Sequence, residues 1–147
     1  MNEYINNLIG LRVIKIYRYL DMLCINFGNT KRKCALHIQS PWKILDTNRR
    51  KVVVAYLDEF TELCELKENQ RAVTVFDKKI REQQSIIENL QVIACNINCV
   101  GDLQINFSNS YILRVFINTS ENEECWRLLM DSDEKHYVVK GKEILFE

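Results

Sequence analysis

The sequence predicts an α+β fold in which two pseudo-symmetric antiparallel β-meander units are joined by one amphipathic helix. Three observations lead there. First, Leu23-Cys24-Ile25-Asn26-Phe27-Gly28-Asn29 returns as Leu103-Gln104-Ile105-Asn106-Phe107-Ser108-Asn109, with five of seven residues identical. Second, each copy is followed by a tryptophan tetrad, Trp42-Lys43-Ile44-Leu45 and Trp126-Arg127-Leu128-Leu129, and then by a valine-rich run, Val52-Val53-Val54 and Val138-Val139. Third, the stretch between the copies carries a helix cap and an apolar stripe. The repeat units span about 9–57 and 88–146, with 58–87 as the linker, and 147 residues suffice for one well-buried core in a single domain.

Taken in order, Leu11 to Arg18 reads as a strand with Ile14 and Ile16 on one face and Lys15 and Tyr17 on the other. Tyr19-Leu20-Asp21 reverses the chain, and Met22 to Phe27 forms a second strand with Leu23, Ile25 and Phe27 inward. Gly28-Asn29-Thr30 supplies turn residues that tolerate positive φ. A third strand runs through Cys34, Leu36 and Ile38 and ends at Ser40-Pro41. The second copy repeats this order: Leu90 to Ile97, a turn at Val100-Gly101-Asp102, Leu103 to Phe107, a turn at Ser108-Asn109-Ser110, and Tyr111 to Ile117. In the linker, residues 58–70 carry five acids and one base around Leu63 and Leu66 and read as a surface loop with room for a short helical turn. Thr74-Val75-Phe76-Asp77 has the form of an N-terminal cap, and Phe76, Ile80, Ile87 and Leu90 make the stripe of the helix that follows.

Composition narrows the function classes. Apolar residues at 47%, charged residues at 27%, and only one proline and four glycines describe a globular chain without a low-complexity linker. The longest apolar run, Val52 to Leu57, is a third of a membrane span, and the start shows no secretory signal, so the expected location is cytoplasmic. The six cysteines lack zinc-ligand spacing and mostly sit in apolar runs, which points to reduced, structural thiols. Net charge is zero, yet Lys and Arg dominate residues 1–51 and Asp and Glu dominate 52–147. Whether that asymmetry survives in space depends on whether the halves interleave.

Chemistry-bearing motifs are missing: there is no phosphate-binding loop, dinucleotide glycine pattern, zinc-protease motif or nucleophile elbow. Neither cofactor nor metal is expected, and no residue is assigned a catalytic role. With only His37 and His136, an enzyme would need one of them in a cleft beside a carboxylate or cysteine. His37 alternates with Leu36 and Ile38, placing it on the outer face of the third strand near Gln39, and its counterpart in the second copy is Arg114. Ile112 and Phe116 face away from Leu113 and Val115 and need a cover: the linking helix, the other copy or a partner. Trp42 and Trp126 read as core plugs closing each meander, with an exposed interface hot spot as the alternative. Lys31-Arg32-Lys33 and Arg49-Arg50-Lys51 are potential phosphate contacts, but basic hairpin tips also serve solubility, and a nucleic-acid partner is not expected.

The size, the Lys/Glu/Ile/Asn-rich composition and the repeated meander with its W-[KR]-[IL]-L step resemble small uncharacterised α+β proteins of bacteria, some of them immunity or accessory proteins encoded beside toxins. That resemblance implies a non-enzymatic protein-interaction module, either binding a protein partner or forming a homodimer. The alternative expectation is a small-ligand pocket between the units, where His37, Gln39, Arg114, Trp42 and Trp126 converge.

Overall fold

A computed structural model describes residues 2–68 and 71–147, with side chains described for 3–63 and 73–147. Strands occupy 49% of the chain, and among the described residues a single helix exceeds two turns, which makes this an antiparallel α+β protein. In chain order the strands are β1 (Arg12–Tyr19), β2 (Met22–Gly28), β3 (Lys33–Ile38), β4 (Trp42–Asp46), β5 (Lys51–Ala55), β6 (Glu62–Glu68), β7 (Arg71–Thr74), β8 (Val92–Ile97), β9 (Leu103–Phe107), β10 (Tyr111–Val115), β11 (Glu124–Met130), β12 (Tyr137–Lys140) and β13 (Ile144–Phe146). The helices are α1 (Asn2–Ile5) and α2 (Val75–Ile87). No helix among the described residues is long and apolar enough to cross a membrane.

A six-stranded sheet has the order β1-β2-β3-β11-β12-β13, and a five-stranded sheet has the order β5-β4-β10-β9-β8. Each sheet therefore takes strands from both halves of the chain. The crossing from one sheet to the other is visible in the backbone. Gln39 and Ser40 both donate their N–H to the Cys125 carbonyl (2.8 and 3.1 Å), continuing the ladder with β11. Pro41 has no N–H with which to extend it, while its carbonyl accepts from Phe116 and starts the pairing of β4 with β10 (2.9 Å). In register, Trp42 lies opposite Val115 and Trp126 opposite Ile38.

Alternation turns one face of each sheet into a shared core. Leu23, Ile25, Phe27, Leu36 and Ile38 from the first sheet and Leu103, Ile105, Leu113 and Val115 from the second are all buried in one cluster, and the rings of Phe27 and Phe107 stack 6.5 Å apart. The start of β1 is laced to the start of β8 by three backbone bonds, Gly10 N–H to Val92 O, Val92 N–H to Leu11 O and Val13 N–H to Leu90 O. This joins an edge of one sheet to an edge of the other. Helix α2 packs against β1 and β5 and buries Phe76, Ile80 and Ile87; Phe76 meets the Trp42 ring edge-on at 5.9 Å. Its start is the expected capping box, with Thr74 Oγ1 accepting from the Asp77 N–H and Asp77 Oδ2 accepting from the Thr74 N–H.

Several expectations are corrected. A bulge between Val13 and Lys15 buries Val13 and Ile16 while Ile14 stays 50% exposed, so Ile14 and Ile16 do not share a face. The Ile14 side chain lies where a Cβ on Gly28 would stand, 2.5 Å away, which accounts for glycine at a position that is Ser108 in the second copy of the sequence motif. At the first turn Asn29 works through its side chain, Oδ1 accepting from the Lys31 and Arg32 N–H groups at 2.8 Å, whereas Asn109 itself takes a positive φ of 60°. The residues before β1 also contribute to the core, where Ile5 and Leu8 are buried. In the linker, the short helical turn is present as a 3₁₀ turn at Tyr56–Glu59, but the loop reading fails where β6 follows and pairs with β7. The Leu66 side chain and residues Asn69 and Gln70 lie outside the described residues.

The tryptophans are buried, but the strands that carry them do not close their own meanders: β4 follows the first meander into the five-stranded sheet and β11 follows the second into the six-stranded one. Their polar ends differ. Trp126 Nε1–H donates to the Gly101 carbonyl at 2.9 Å, and Gly101 adopts a φ of 102° with Val139 where a Cβ would stand. Trp42 Nε1 is buried without a hydrogen-bond partner. Trp126→Phe is therefore expected to cost about 1–2 kcal/mol more than Trp42→Phe, because only the first leaves a buried carbonyl orphaned. The difference is read from urea denaturation midpoints of the two variants.

Candidate functional site

The two outer faces of the sandwich carry different chemistry, and cross-strand register assigns each residue to its face. On the six-stranded sheet, one row runs Tyr17, Cys24, His37, Arg127, Val138 and Leu145. Arg127 organises the cluster around it. Its guanidinium donates to Glu124 through Nε (3.0 Å) and Nη2 and approaches Glu147 at 3.7 Å. Its Nη1 lies 2.7 Å from His136 Nδ1. Guanidinium has no acceptor, so Nδ1 of His136 accepts and the ring proton sits on Nε2. Gln39 joins by donating to Glu124 Oε2 at 3.0 Å, and Lys140 pairs with Glu147 at 3.3 Å.

The structure thus brings His37 and Gln39 together with the second histidine. Burial, then the Arg127 charge, holds the His37 pKa below the usual imidazole value, with Glu124 acting in the opposite direction. Cys24 stands directly opposite His37, the adjacency a cysteine–histidine nucleophile would need. It is unsuited to that use. The thiol is 1% exposed, and burial pushes its pKa up, away from the reactive thiolate. Every carboxylate and cation of the cluster is matched within it, and Cys24 and Val138 are both buried; the exposed large apolar side chains of this sheet, Ile14, Tyr19 and Phe146, lie on its two edge strands.

On the five-stranded sheet the outer rows are Ala55, Lys43, Arg114, Gln104, Asn96 and Val52, Leu45, Ile112, Asn106, Ala94. None of the ten is acidic. Val52, Leu45 and Ile112 sit side by side as an aliphatic band, Val52 being 48% exposed and the other two partly exposed. Phe116 is 38% exposed, and the Lys43 ammonium lies over its ring at 5.7 Å. Arg114 Nε donates to Gln104 Oε1 at 3.2 Å, and Gln104 donates onward to Asn106. A shallow concavity of about 330 Å³ adjoins the band, lined by Leu45, Asp46, Thr47, Arg50, Lys51 and Val52.

His37 and Arg114 each alternate with core residues of different sheets, so they face away from one another, and the tryptophans lie between them in the core. These residues do not meet in one pocket. Sequence reading missed Lys43, Leu45, Val52, Glu124 and Arg127 as site residues. Each becomes a neighbour only through the pairings β3–β11 and β4–β10, which link segments some seventy or more residues apart in the chain.

A further group stands apart. Glu59, in the 3₁₀ turn, is 2% exposed, and neither carboxylate oxygen has a hydrogen-bond partner. Burial raises its pKa to about 7; Arg18 and the nearby Trp42 N–H favour the charged form, and Asp21 and Asp77 oppose it. The Trp42 N–H acts here as a nearby dipole rather than through a formed hydrogen bond. The chain matches no family profile, no curated protein and no solved structure.

Two outcomes follow from these environments. The folded-state pKa of Glu59 lies above its unfolded value of 4.5, so its contribution to stability is complete below about pH 4.5 and is lost as pH rises through about 7. Glu59→Gln is expected to raise stability at pH 8, by on the order of 3 kcal/mol at most, and to bring no such gain near pH 4.5. Chemical denaturation at the two pH values measures this. For the histidine cluster, Arg127→Gln removes a cation facing His37, and an NMR titration of the ring should show the His37 pKa moving upward.

Proposed function

We propose that this protein is a non-catalytic protein-interaction module that uses the outer face of the five-stranded sheet. The observation carrying this reading is the aliphatic band of Val52, Leu45 and Ile112, which lies on the side of the sheet away from the linking helix: α2 meets β4 and β10 at their inward side chains, Phe76 against Trp42 and Gln83 accepting from the Tyr111 hydroxyl. Open apolar side chains in contiguous cross-strand positions mark a contact surface more strongly than isolated ones. Leu20, Leu57, Val100, Tyr19, Ile93, Phe146 and Ile14 are more exposed than Val52, but they lie in turns, in the 3₁₀ segment or on the edge strands β1, β8 and β13, whereas the band crosses from β5 through β4 to β10. The exposed Phe116 beside the band extends the surface anticipated around Ile112 and Phe116.

We also infer that the chain is one structural unit used twice. The strand pairings support this: β1-β2-β3 continues into β11-β12 as β8-β9-β10 continues into β4-β5. Ile38 faces Trp126 and Leu36 faces Leu128 where Val115 faces Trp42 and Leu113 faces Ile44. In such a duplication the shared residues serve the core and the differing ones carry function, here Arg114 and Lys43 on one outer face against His37 and Arg127 on the other. The immunity-like role implied by the resemblance, and the cytoplasmic location expected from the sequence, fit a small binding protein of this kind. A small-ligand pocket between the units is less well supported, because His37, Arg114 and the tryptophans lie in three separate places.

Site-specific photocrosslinking in the expressing cell tests the interaction reading. A crosslinker at position 112 should trap a discrete protein adduct that Leu45→Glu abolishes, while the same group at Ala35, on the outer face of the other sheet, traps none. Equal labelling from both positions, or no adduct from position 112, would overturn it.

A further inference from the structure

Building on the interaction reading, we propose that the outer face of the five-stranded sheet takes an acidic protein segment, carboxylates on Lys43 and Arg114 and aliphatic side chains on the band, and that the face does not pair with its own copy. Lys43 and Arg114 stand directly opposite each other in register. Like charges in that position repel, and neither cation forms an ion pair among the described residues. The other sheet shows what neutralisation looks like in this protein: Arg127 and Lys140 are matched there by Glu124 and Glu147. Where the band opens into the concavity, Arg50 and Lys51 add positive charge. Asp46 beside them is already committed, accepting from the Asn48 and Arg49 N–H groups and pairing with the Arg49 guanidinium at 3.5 Å.

These features choose among partners. A twofold dimer through this face would set the Lys43 and Arg114 pair of one copy near that of the other, a repulsive arrangement. A single-stranded nucleic acid would satisfy the cations but asks for aromatic platforms on which bases stack; the band is aliphatic, and the Phe116 ring beside it lies under Lys43. An acidic segment with aliphatic residues between its carboxylates uses both halves of the surface at once.

The test titrates the isotope-labelled full chain with four probes: a peptide alternating Glu with Leu, its analogue with Lys for Glu, oligoglutamate of the same length, and a single-stranded oligonucleotide. The Glu/Leu peptide is expected to shift the methyl signals of Val52, Leu45 and Ile112 and to bind at least about tenfold more tightly than the other three. Its affinity should fall by about tenfold in the double variant Lys43→Glu/Arg114→Glu, and also when salt is raised from about 50 to 300 mM. Lys43→Gln/Arg114→Gln serves as the milder variant, and circular dichroism confirms that both keep the fold. Equal binding of the Lys analogue, stronger binding of the oligonucleotide at the same methyl groups, a dimer with Ile112 in its interface, or silence from every probe each overturns the proposal. Adducts from position 112 in a chain that ignores acidic peptides would sink the acidic partner alone; absence of both sinks the interaction module with it.

Discussion

Everything in this molecule rests on the exchanged pairing in which β3 takes β11 as its neighbour and β10 takes β4. Neither half of the chain can finish a sheet by itself. The first meander ends in an open ladder that only residues after 123 fill, and the second ends in one that only residues 42–55 fill. An open edge strand holds a row of unpaired N–H and C=O groups, so each half stabilises the other by satisfying them as much as by burying apolar surface. Trp42 and Trp126 stand at the two exchange points, and their indoles fill the core beneath the junctions. A buried tryptophan at such a point fixes register, because a slip of one residue would turn it out to solvent.

The same exchange decides where charge ends up. Along the chain the basic and acidic halves are separate, but the pairing sets β11 and its acidic flanks beside β3 while β4 carries its lysine beside β10. On one outer face the Arg127 cluster becomes internally neutral, while the strand rows of the other retain cations without carboxylates. Glu59 is the opposite case, a carboxylate enclosed without a hydrogen-bond partner, and it shifts its protonation instead of finding a counter-charge. The enclosure of Cys24 follows a related logic. Adjacent to His37 it has the neighbours of a nucleophile, yet burial denies it both a substrate's approach and the charge it would need.

Much of the fold was legible in the sequence because alternation reports faces directly. The inward set Leu23, Ile25, Phe27 and its later relatives Leu103, Ile105, Phe107 is where period-two reading places it, and the Thr74 and Asp77 cap marks the start of α2 to the residue. Local irregularity escaped: the bulge that turns Ile14 outward depends on Gly28 of the neighbouring strand, which no single-strand pattern encodes. The β6–β7 hairpin escaped too, since its acidic composition resembles a loop and its pairing is defined only by the partner strand. Site residues were the least legible part. His37, Ile112 and Phe116 could be assigned an outer face, but the neighbours that give them chemical meaning, Arg127 for the first and Lys43 and Leu45 for the others, come from across the exchanged junctions. Alternation reveals which way a side chain points; it does not reveal what stands beside it.

The Pro41 crossing also has a temporal side. A ribosome delivers β1 through β5 long before the strands that complete their sheets, so the nascent chain emerges with the ladders of β3 and β4 unfilled and with Leu36, Ile38 and Ile44 lacking the core that later buries them. Folding must wait for residues past 130, and loop closures of that span are slow relative to local hairpins. Over that interval the first half can pair with the second half of its own chain or with that of a neighbour emerging from the same message, since both offer the same β11. The connectivity that locks the finished protein together thus makes the last strands to be synthesised the ones on which the first depend.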